Sequence, residues 1–261
     1  MKLTFLGTGT STGVPQPRCT CEVCRSSDFR DNRLRCSALL EEGDRRLLID
    51  CGPDFRYQML REGNPDKSLD ALLLTHHHYD HTGGIDDLRP YYRDHADGFP
   101  IYCQSDVEHT LRTRLPYCFP DHLYPGAPVL KLNRMAAGCP LKIAGFDILP
   151  VRVMHGQLPI LGFRIGALGY ITDCKTMPAE TVNLLKGVDT LVINALFDDR
   201  LIHREHPTHM NLTQALDVIS MIAPRRTLLI HMGHKIGLHA VVNPTLPDGI
   251  ELAYDGMTIE I

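Results

Sequence analysis

The chain has no excess of basic residues and no long apolar run. Lysine and arginine together number 27 against 31 aspartate and glutamate residues, and the formal net charge over 261 residues is −4. This balance argues against a nucleic-acid partner held by a broadly basic surface. No window approaches the roughly 20 apolar residues that a membrane span needs. The apolar stretch after Met1 is too short for a secretory signal, so we expect a cytoplasmic protein with no membrane partner.

A nucleotide-binding loop is also missing. Residues 7–13 are rich in glycine and threonine, which invites comparison with a phosphate-binding loop. However, Pro15 and Pro17 stand where a helix should begin, and the Gly-Lys-Ser/Thr of a P-loop is absent from the sequence. We therefore interpret these glycines as residues required for tight turns, in a loop that borders a site.

The nine cysteines are an odd number, and three of them crowd together at Cys19, Cys21 and Cys24. In a reducing compartment such crowding is typical of metal binding rather than of disulfides. Free thiols on a loop are the alternative. The other six cysteines are scattered, and we expect most of them to be small buried hydrophobic residues.

The most informative segment is residues 72–84, an apolar run that leads into a cluster of polar side chains. The defined positions of the motif His-x-His-x-Asp-His are His76, His78, Asp80 and His81. Imidazoles and a carboxylate suit zinc, manganese or iron better than calcium or magnesium. Four ligands within six residues cannot all reach one ion comfortably, so the motif predicts two neighbouring ions. Gly83 and Gly84 are interpreted as the point where the backbone turns away, and a solvated histidine-rich loop is the alternative.

Short apolar segments alternate with a few helical ones. We predict strands at 2–6, 45–50, 71–75, 100–104, 146–154, 162–165, 169–172, 190–195 and 227–230. We predict helices at 85–92, 106–115, 178–185 and 212–222, the last capped by Asn211. Residues 116–140 are rich in proline and glycine and are interpreted as a loop or an insertion. Without a linker or a repeat, the pattern predicts one α/β domain over residues 1–261, with helices outside the sheets.

Further candidate ligands stand where predicted strands end. His155 follows one strand, Asp173 a second and His231 a third, as His76 follows the apolar run before it. Sheet proteins commonly build their sites at the carboxyl ends of strands. These residues therefore extend the histidine motif into one larger candidate metal site.

Taken together, these residues resemble the metallo-β-lactamase superfamily of dinuclear hydrolases. The resemblance runs from Leu3 to Met257 and implies a four-layer αββα sandwich with the metals at one edge. It implies one ion held by His76, His78 and His155, a second held by Asp80, His81 and His231, and Asp173 as the bridge between them. Asp50 matches the family's acidic residue behind the site and is expected to hold a ligand histidine in place.

Within the superfamily, the resemblance is strongest to the PhnP-type phosphodiesterases of phosphonate breakdown. It lies in the Cys-x-Cys-x-x-Cys of residues 19–24 and in a histidine that follows the last metal ligand after three residues. It implies a closed structural zinc site within a cysteine-rich loop at 14–36. The implied zinc ligands are Cys19, Cys21, Cys24 and His234. His209 matches a histidine that does not bind metal and lies near the leaving group, although a solvent-facing His209 is the alternative.

The resemblance implies a metal-dependent phosphodiesterase that acts on a small anionic substrate of the 5-phosphoribosyl 1,2-cyclic phosphate kind. Two divalent ions bring four positive charges; Asp80, Asp173 and a hydroxide remove three, which leaves one for the substrate. The metal-bound hydroxide is expected to attack phosphorus, with Asp80, Asp173 and His209 as the catalytic residues and His209 acting as an imidazolium that protonates the leaving alkoxide. A homodimer is usual for the resembled family.

Other functions on the same fold remain open. They are an RNase Z-like tRNA 3′-endonuclease, a lactonase or thioesterase, and a PqqB-like protein of quinone-cofactor biosynthesis. RNase Z-like enzymes use a basic arm, and residues 116–140 carry little more than Lys131 and Arg134 as basic residues. Of the remaining histidines, His77 is expected to point away from the metals. His203, His206 and His239 are expected at the surface.

Overall fold

The computed structural model describes residues 1–63, 66–202 and 205–261. In these three ranges, two seven-stranded mixed sheets pack face to face and carry helices on both outer faces. This is the αββα sandwich that the resemblance implies, and the predicted fold class is confirmed. Across the same ranges, no helix combines the length and the apolar character that crossing a membrane requires.

The first sheet is antiparallel on one side and parallel on the other. From edge to edge it contains β14 (Thr258–Glu260), β1 (Lys2–Gly7), β2 (Ser37–Glu42), β3 (Arg45–Ile49), β4 (Ala71–Leu73), β5 (Phe99–Cys103) and β6 (Leu130–Arg134). The pairs from β3 to β6 are parallel, and those from β14 to β3 are antiparallel. The ends of β3 and β4 therefore lie side by side at one edge.

The second sheet has the same mixed character. From edge to edge it contains β13 (Ile250–Leu252), β12 (Arg226–Ile230), β11 (Thr190–Asn194), β10 (Leu168–Tyr170), β9 (Leu158–Ile165), β8 (Phe146–His155) and β7 (Leu141–Ile143). The pairs from β10 to β13 are parallel, whereas β9 is antiparallel to both of its neighbours. Consequently β8, β10 and β12 run in one direction and end at the same edge.

Six α-helices cover the sheets in the described residues. They are α1 (Phe55–Glu62), α2 (Tyr79–Thr82), α3 (Ser105–Arg114), α4 (Ala179–Leu185), α5 (Leu212–Ile222) and α6 (His239–Val242). Helix α5 has the bounds predicted from its apolar face. Asn211 accepts a hydrogen bond from the backbone N–H of Gln214 at 2.9 Å, and the Gln214 side chain caps Asn211 in return. This capping box fixes where the helix begins.

Three buried apolar clusters correspond to the three interfaces between layers. The central cluster joins the two sheets and includes Phe5 and Phe163. A second cluster lies between the second sheet and helices α4 and α5, and a third lies under α1 and α3. Strands buried on both faces read as continuous apolar runs, which is why β3, β4, β11 and β12 were recognisable in the sequence.

Two predictions about secondary structure were wrong. Residues 85–92 do not form one helix; they form a 3₁₀ turn at Ile85–Leu88, and a second turn begins at Tyr92. Pro90 lies between them and lacks the N–H that a continuous helix needs. Residues 116–140 are not only a loop, because they contain β6, which pairs with β5 along five residues. The strands β2, β7, β13 and β14 were not predicted.

Candidate metal centre

The ends of five strands bring the candidate ligands to one edge of the sandwich. Asp50 follows β3 and Asp173 follows β10, while His231 follows β12. These three residues have φ angles of 59°, 54° and 54°. Left-handed backbone is uncommon outside glycine and recurs at functional sites, although Asp and His adopt it more readily than most residues. The chain thus turns sharply at or shortly after the end of each of these three strands and leaves the side chain at the edge.

The first ligand group consists of His76, His78 and His155, whose ligand atoms lie within 4.8 Å of one another. The Nδ1 of His155 lies 2.9 Å from the carbonyl oxygens of both Asp173 and Thr208. Because a carbonyl can only accept, Nδ1 carries the proton and Nε2 is left as the ligand atom. The structure therefore brings together the three histidines that the resemblance assigns to one ion.

The second ligand group consists of Asp80, His81, Asp173 and His231, again within 4.8 Å of one another. The Nε2 of His81 lies 3.3 Å from a carboxylate oxygen of Asp80 and 3.3 Å from one of Asp173. The Nε2 of His231 lies 3.2 Å from the other oxygen of Asp173. Asp173 thus presents one oxygen to each of two histidines, and its Oδ1 also accepts a hydrogen bond of 2.6 Å from the Thr172 hydroxyl.

These donor sets fit divalent ions. Among the described residues, the Nε2 atoms of His76, His81 and His231 are buried and make no hydrogen bond, and those of His81 and His231 have carboxylate oxygens beside them at 3.2–3.3 Å. A buried polar atom without a partner costs free energy unless something else satisfies it. Three such nitrogens converge with two carboxylates, and this chemistry suits zinc, manganese or iron. The His/Asp cluster is therefore consistent with a dinuclear metal site.

The electrostatics of this cluster also favour cations. Burial alone would raise the pKa of Asp80 and Asp173, but neighbouring imidazoles outweigh it and hold both carboxyl groups below their usual range. Burial alone would lower the pKa of His81, yet Asp173, Asp50 and Asp80 raise it well above its ordinary value. The carboxylates thus favour positive charge at His81, which a proton on Nε2 can supply. A divalent cation would take over that role and release the proton.

Asp50 occupies the supporting position predicted for it. Its carboxylate is fully buried, and its Oδ2 lies 2.7 Å from the Nδ1 of His81. Since the carboxylate accepts the Nδ1 proton, the Nε2 of His81 is left to face the ligand group. The backbone of the same loop braces the motif as well, because the Cys51 N–H donates to the carbonyl of His81 at 2.8 Å.

The glycines after the motif lie in a turn, as predicted, and they also allow close packing. Gly83 and Gly84 have φ angles of −69° and −97°, values open to any residue. A Cβ on Gly84 would lie 2.1 Å from the carbonyl oxygen of Gly52, and a Cβ on Gly52 would lie 2.1 Å from that of Asp80. The Asp50 loop and the ligand loop can therefore touch only through glycine.

A separate cluster joins the cysteine-rich loop to the segment after β12. The Nδ1 of His234 lies 3.1, 3.3 and 3.4 Å from the sulfurs of Cys19, Cys21 and Cys24. One ring nitrogen cannot share a single proton with three thiols, whereas one cation would explain all three approaches. Three sulfurs and one imidazole form the ligand set of a closed tetrahedral zinc site. The Cys₃His cluster thus suggests a structural metal.

His209 lies beside both ligand groups. It shares a cluster with His155 and Asp173, its Nδ1 is 3.9 Å from an Asp173 carboxylate oxygen, and its ring stacks on His231 at 4.8 Å between centroids. Burial lowers the pKa of His209 to about 2. The imidazole is therefore neutral at neutral pH, contrary to the predicted imidazolium. His206, expected at the surface, is half-buried with its ring 5.0 Å from that of His209.

Predictions were also made for His77, His239 and His203, and the structure describes the first two of these residues. His77 faces away from the ligand groups, with Nδ1 3.5 Å from a carboxylate oxygen of Asp106. His239 is buried instead of exposed, and its backbone N–H donates to Asp31 at 2.8 Å. Its position depends on packing of α6 that no local sequence signal reveals. His203 lies outside the described residues.

A cavity of about 210 Å³ lies between the loop after β1, the loop after β11 and the segment after His231. Leu196 and Phe197 give it an apolar wall, and Thr10 and Lys235 contribute polar groups. His206 lies on its border and packs against His209. The cavity therefore borders the Cys₃His cluster through His234 and is next to His209 only through His206. Sequence reasoning missed it because its walls come from distant segments.

Comparison with known proteins gives a consistent family relationship. Residues 45–232 match the family described as the beta-lactamase superfamily domain. A crystal structure described as a new diphosphatase from the PhnP family is 36% identical, with a TM-score of 0.89 over 99% of this chain and 96% of that one. Coenzyme PQQ synthesis protein B of Pseudomonas fluorescens (strain SBW25) is 25% identical over the full length of both chains.

A further relative differs in length. An octanoyltransferase of Porphyromonas gingivalis (strain ATCC BAA-308 / W83) is 44% identical over 260 residues, which are 98% of this chain. The chain spans only about half of that protein, 51% of its length. The name of the relative therefore describes a longer protein than the part that is matched.

Proposed function

The chain belongs to the metallo-β-lactamase superfamily, and from this premise we propose that it is a metal-dependent phosphodiesterase with a dinuclear site. The observation that carries the proposal is that every position of both ligand groups is filled and that their ligand atoms converge within 4.8 Å. A binding module on this fold would be expected to have lost one or more of these ligands. Zinc or manganese is the proposed occupant of the dinuclear site, with iron also compatible, and zinc that of the Cys₃His site.

Charge favours a phosphodiester as the substrate. Two divalent ions would lower the pKa of a bound water and offset negative charge on the phosphate. Asp80 and Asp173 supply two negative charges to the ligand groups and the buried Asp50 a third behind His81, so two divalent ions would leave one positive charge to attract an anion. Asp50 and Thr172 hold His81 and Asp173 in orientation, which keeps the ligand atoms in place as the substrate binds.

His209 is proposed to act on the leaving group. A neutral imidazole carries one N–H, and from its place beside His155 and Asp173 it can donate a hydrogen bond to a leaving oxygen at the cluster while keeping its proton. The stacked ring of His231 and the tilted ring of His206 restrict how the His209 ring can turn.

The proposed substrate is a small cyclic ribose phosphodiester, in keeping with the resemblance to PhnP-type enzymes, and the 210 Å³ cavity beside His206 could hold its organic part. A diphosphate-linked substrate is the alternative within the same reaction type, because a relative with 36% identity is described as a diphosphatase. A homodimer and a place in phosphonate breakdown stay predictions from the resemblance.

A second candidate function is hydrolysis of an acyl thioester. It is favoured by the 44% identity to half of an octanoyltransferase and by the apolar wall that Leu196 and Phe197 give the cavity. The RNase Z alternative is not favoured, because residues 116–140, all of them described, add β6 to the sheet and little basic charge. The alternative of PqqB-like cofactor biosynthesis is supported by relatives that are 25–34% identical over the full length of both chains, against 36% for the PhnP-family diphosphatase.

The test is hydrolysis of bis(p-nitrophenyl) phosphate by the purified protein with zinc, manganese or iron, beside p-nitrophenyl phosphate, a nucleoside diphosphate sugar and octanoyl-coenzyme A. Turnover of the diester but not the monoester supports the proposal. The informative pair of variants is His78→Gln and His77→Gln, because the two neighbours face opposite ways. We expect the first to lose activity and the second to keep it. Thioester cleavage without diester cleavage would replace the proposal with the second candidate.

A further inference from the structure

One hydroxyl joins Asp50 to the first ligand group. The Thr75 Oγ1 lies 2.8 Å from Oδ2 of Asp50 and 3.0 Å from Nδ1 of His76. All three residues are at most 1% exposed. The chain thus holds Asp50, the Thr75 hydroxyl and His76 in a buried row next to the metal centre.

The Thr75 hydroxyl has one proton, and its position sets the direction of both hydrogen bonds between these residues. Asp50 as a carboxylate can only accept, so Thr75 donates its proton to Asp50. The Thr75 oxygen can then only accept from His76, which places the proton of that imidazole on Nδ1. The buried and unpartnered Nε2 of His76 is consequently left with its lone pair toward His78 and His155.

We propose that Thr75 is a positioning residue. Through its hydroxyl, Asp50 orients a ligand of the first group as well as one of the second. Asp50 accepts directly from His81 at 2.7 Å and, through the Thr75 hydroxyl, fixes the tautomer of His76. One buried carboxylate therefore orients a ligand of each of the two proposed ions. This inference rests on the proposed dinuclear function of the site.

The backbone of Thr75 is held independently of its hydroxyl. Its N–H donates to Oδ1 of Asp50 at 2.9 Å, and its carbonyl accepts from the N–H of Leu161 in β9 at 3.0 Å. A Thr75→Val substitution keeps both bonds and a similar shape, and it leaves the Asp50–His81 bond in place. We therefore expect the substitution to weaken binding of the ion at His76 and to leave binding of the ion at His81 unchanged.

The test compares Thr75→Val with Thr75→Ser, which retains the hydroxyl. Metal per chain is measured by mass spectrometry after dialysis against a graded chelator, and the imidazole N–H resonances of the metal-free proteins are followed by NMR. We expect Thr75→Val to bind one of the two ions about 10–100-fold more weakly. It should also lose the His76 Nδ1–H signal, while Thr75→Ser resembles the unsubstituted protein in both measurements.

Two results would overturn the inference. One is a Thr75→Val protein that binds both ions like the original and keeps the His76 signal; the other is a Thr75→Ser protein as impaired as Thr75→Val, which would indicate packing instead of the hydroxyl. Failure of the proposed function would look different, because the unsubstituted protein would then bind no pair of ions or cleave no phosphodiester. The NMR signal is independent of both outcomes.

Discussion

The Oδ2 of Asp50 lies 2.7 Å from the Nδ1 of His81, and both side chains are fully buried. Asp50 directly follows β3 and His81 lies in α2, and their bond fixes which nitrogen of His81 faces the ligand group. A buried hydrogen bond to a charged group contributes about 1.5–3 kcal/mol, and loss of one partner leaves the other unsatisfied. The supporting residue is therefore as sensitive to substitution as a ligand.

For Asp50→Asn we expect weaker binding of both ions, by about 10–100-fold, because an amide cannot accept from His81 as a carboxylate does. The measurement is chelator competition on the purified variant. Asp54→Asn is the matched control, since Asp54 also carries a charge on the same loop but pairs with Arg35 at 3.0 Å. Equal metal binding by Asp50→Asn and the unsubstituted protein would show that the carboxylate of Asp50 does not support metal binding through His81.

Gly84→Ala is expected to lower the free energy of unfolding by about 1–3 kcal/mol, because its Cβ would lie 2.1 Å from the carbonyl oxygen of Gly52 and the backbone must shift. Urea unfolding measures the change. Gly233→Ala serves as the comparison, since a Cβ there meets its nearest atom at 3.4 Å, an ordinary contact. A Gly84→Ala protein as stable as Gly233→Ala would show that the loops do not depend on this close approach.

Cys19→Ser should remove the metal of the Cys₃His cluster and leave the dinuclear ions bound. We expect a loss of stability of about 2 kcal/mol, seen as a melting temperature lower by roughly 5 °C, because the ion ties the cysteine-rich loop to the segment after β12. Cys139→Ser is the control, since Cys139 is exposed and outside the cluster. Loss of the dinuclear ions in Cys19→Ser would mean that the two sites are not independent.

Lys235→Met tests the cavity as the place of the substrate's organic part. If an anionic group of the substrate lies there, loss of the ammonium should raise KM about tenfold and leave kcat nearly unchanged, since a hydrogen bond to a charged group contributes about 1.5–3 kcal/mol. Steady-state kinetics give both constants. Lys142→Met is the matched control, because this lysine pairs with Asp147 in a different region. An unchanged KM for every cleaved substrate would argue against substrate binding in the cavity.

Stability should fall as the pH drops from about 6.5 to about 4, in part because of His239. Burial lowers its pKa to about 4, with Arg33 and Arg30 adding to the effect and Asp28 and Asp31 opposing it. The unfolded chain, with an ordinary histidine pKa near 6.5, binds the proton first as the pH falls, so acid favours unfolding in this window. Urea midpoints at several pH values should fall less steeply for His239→Asn. Parallel curves for the two proteins would exclude this contribution.

The sequence was enough for the fold class, through the family that its motifs resemble, and for the group of candidate ligands, through their spacing after apolar strands. Apolar strands end in His76, His155, Asp173 and His231, and the parallel order of the strands brings such ends to one edge. Helix α5 was predicted to its bounds because its apolar face and its cap are both local signals. The family relationship confirms the superfamily that these motifs indicated.

Other features depend on contacts between distant segments and carry no local signal. The strand β6 was missed because proline and glycine surround it and its pairing with β5 is what makes it a strand. The close approach of Gly84 to Gly52 is likewise a property of two loops brought together by the first sheet.

What the sequence determined by itself is which side chains are available for metal chemistry and on which strand ends they stand, because periodicity and spacing are local. Only the tertiary structure decided that His206 packs on His209, that His239 is buried and that Asp50 reaches His81 directly and His76 through Thr75. Burial and hydrogen bonding in three dimensions set which nitrogen holds each proton. They also make His209 neutral, where the sequence predicted a charged imidazolium.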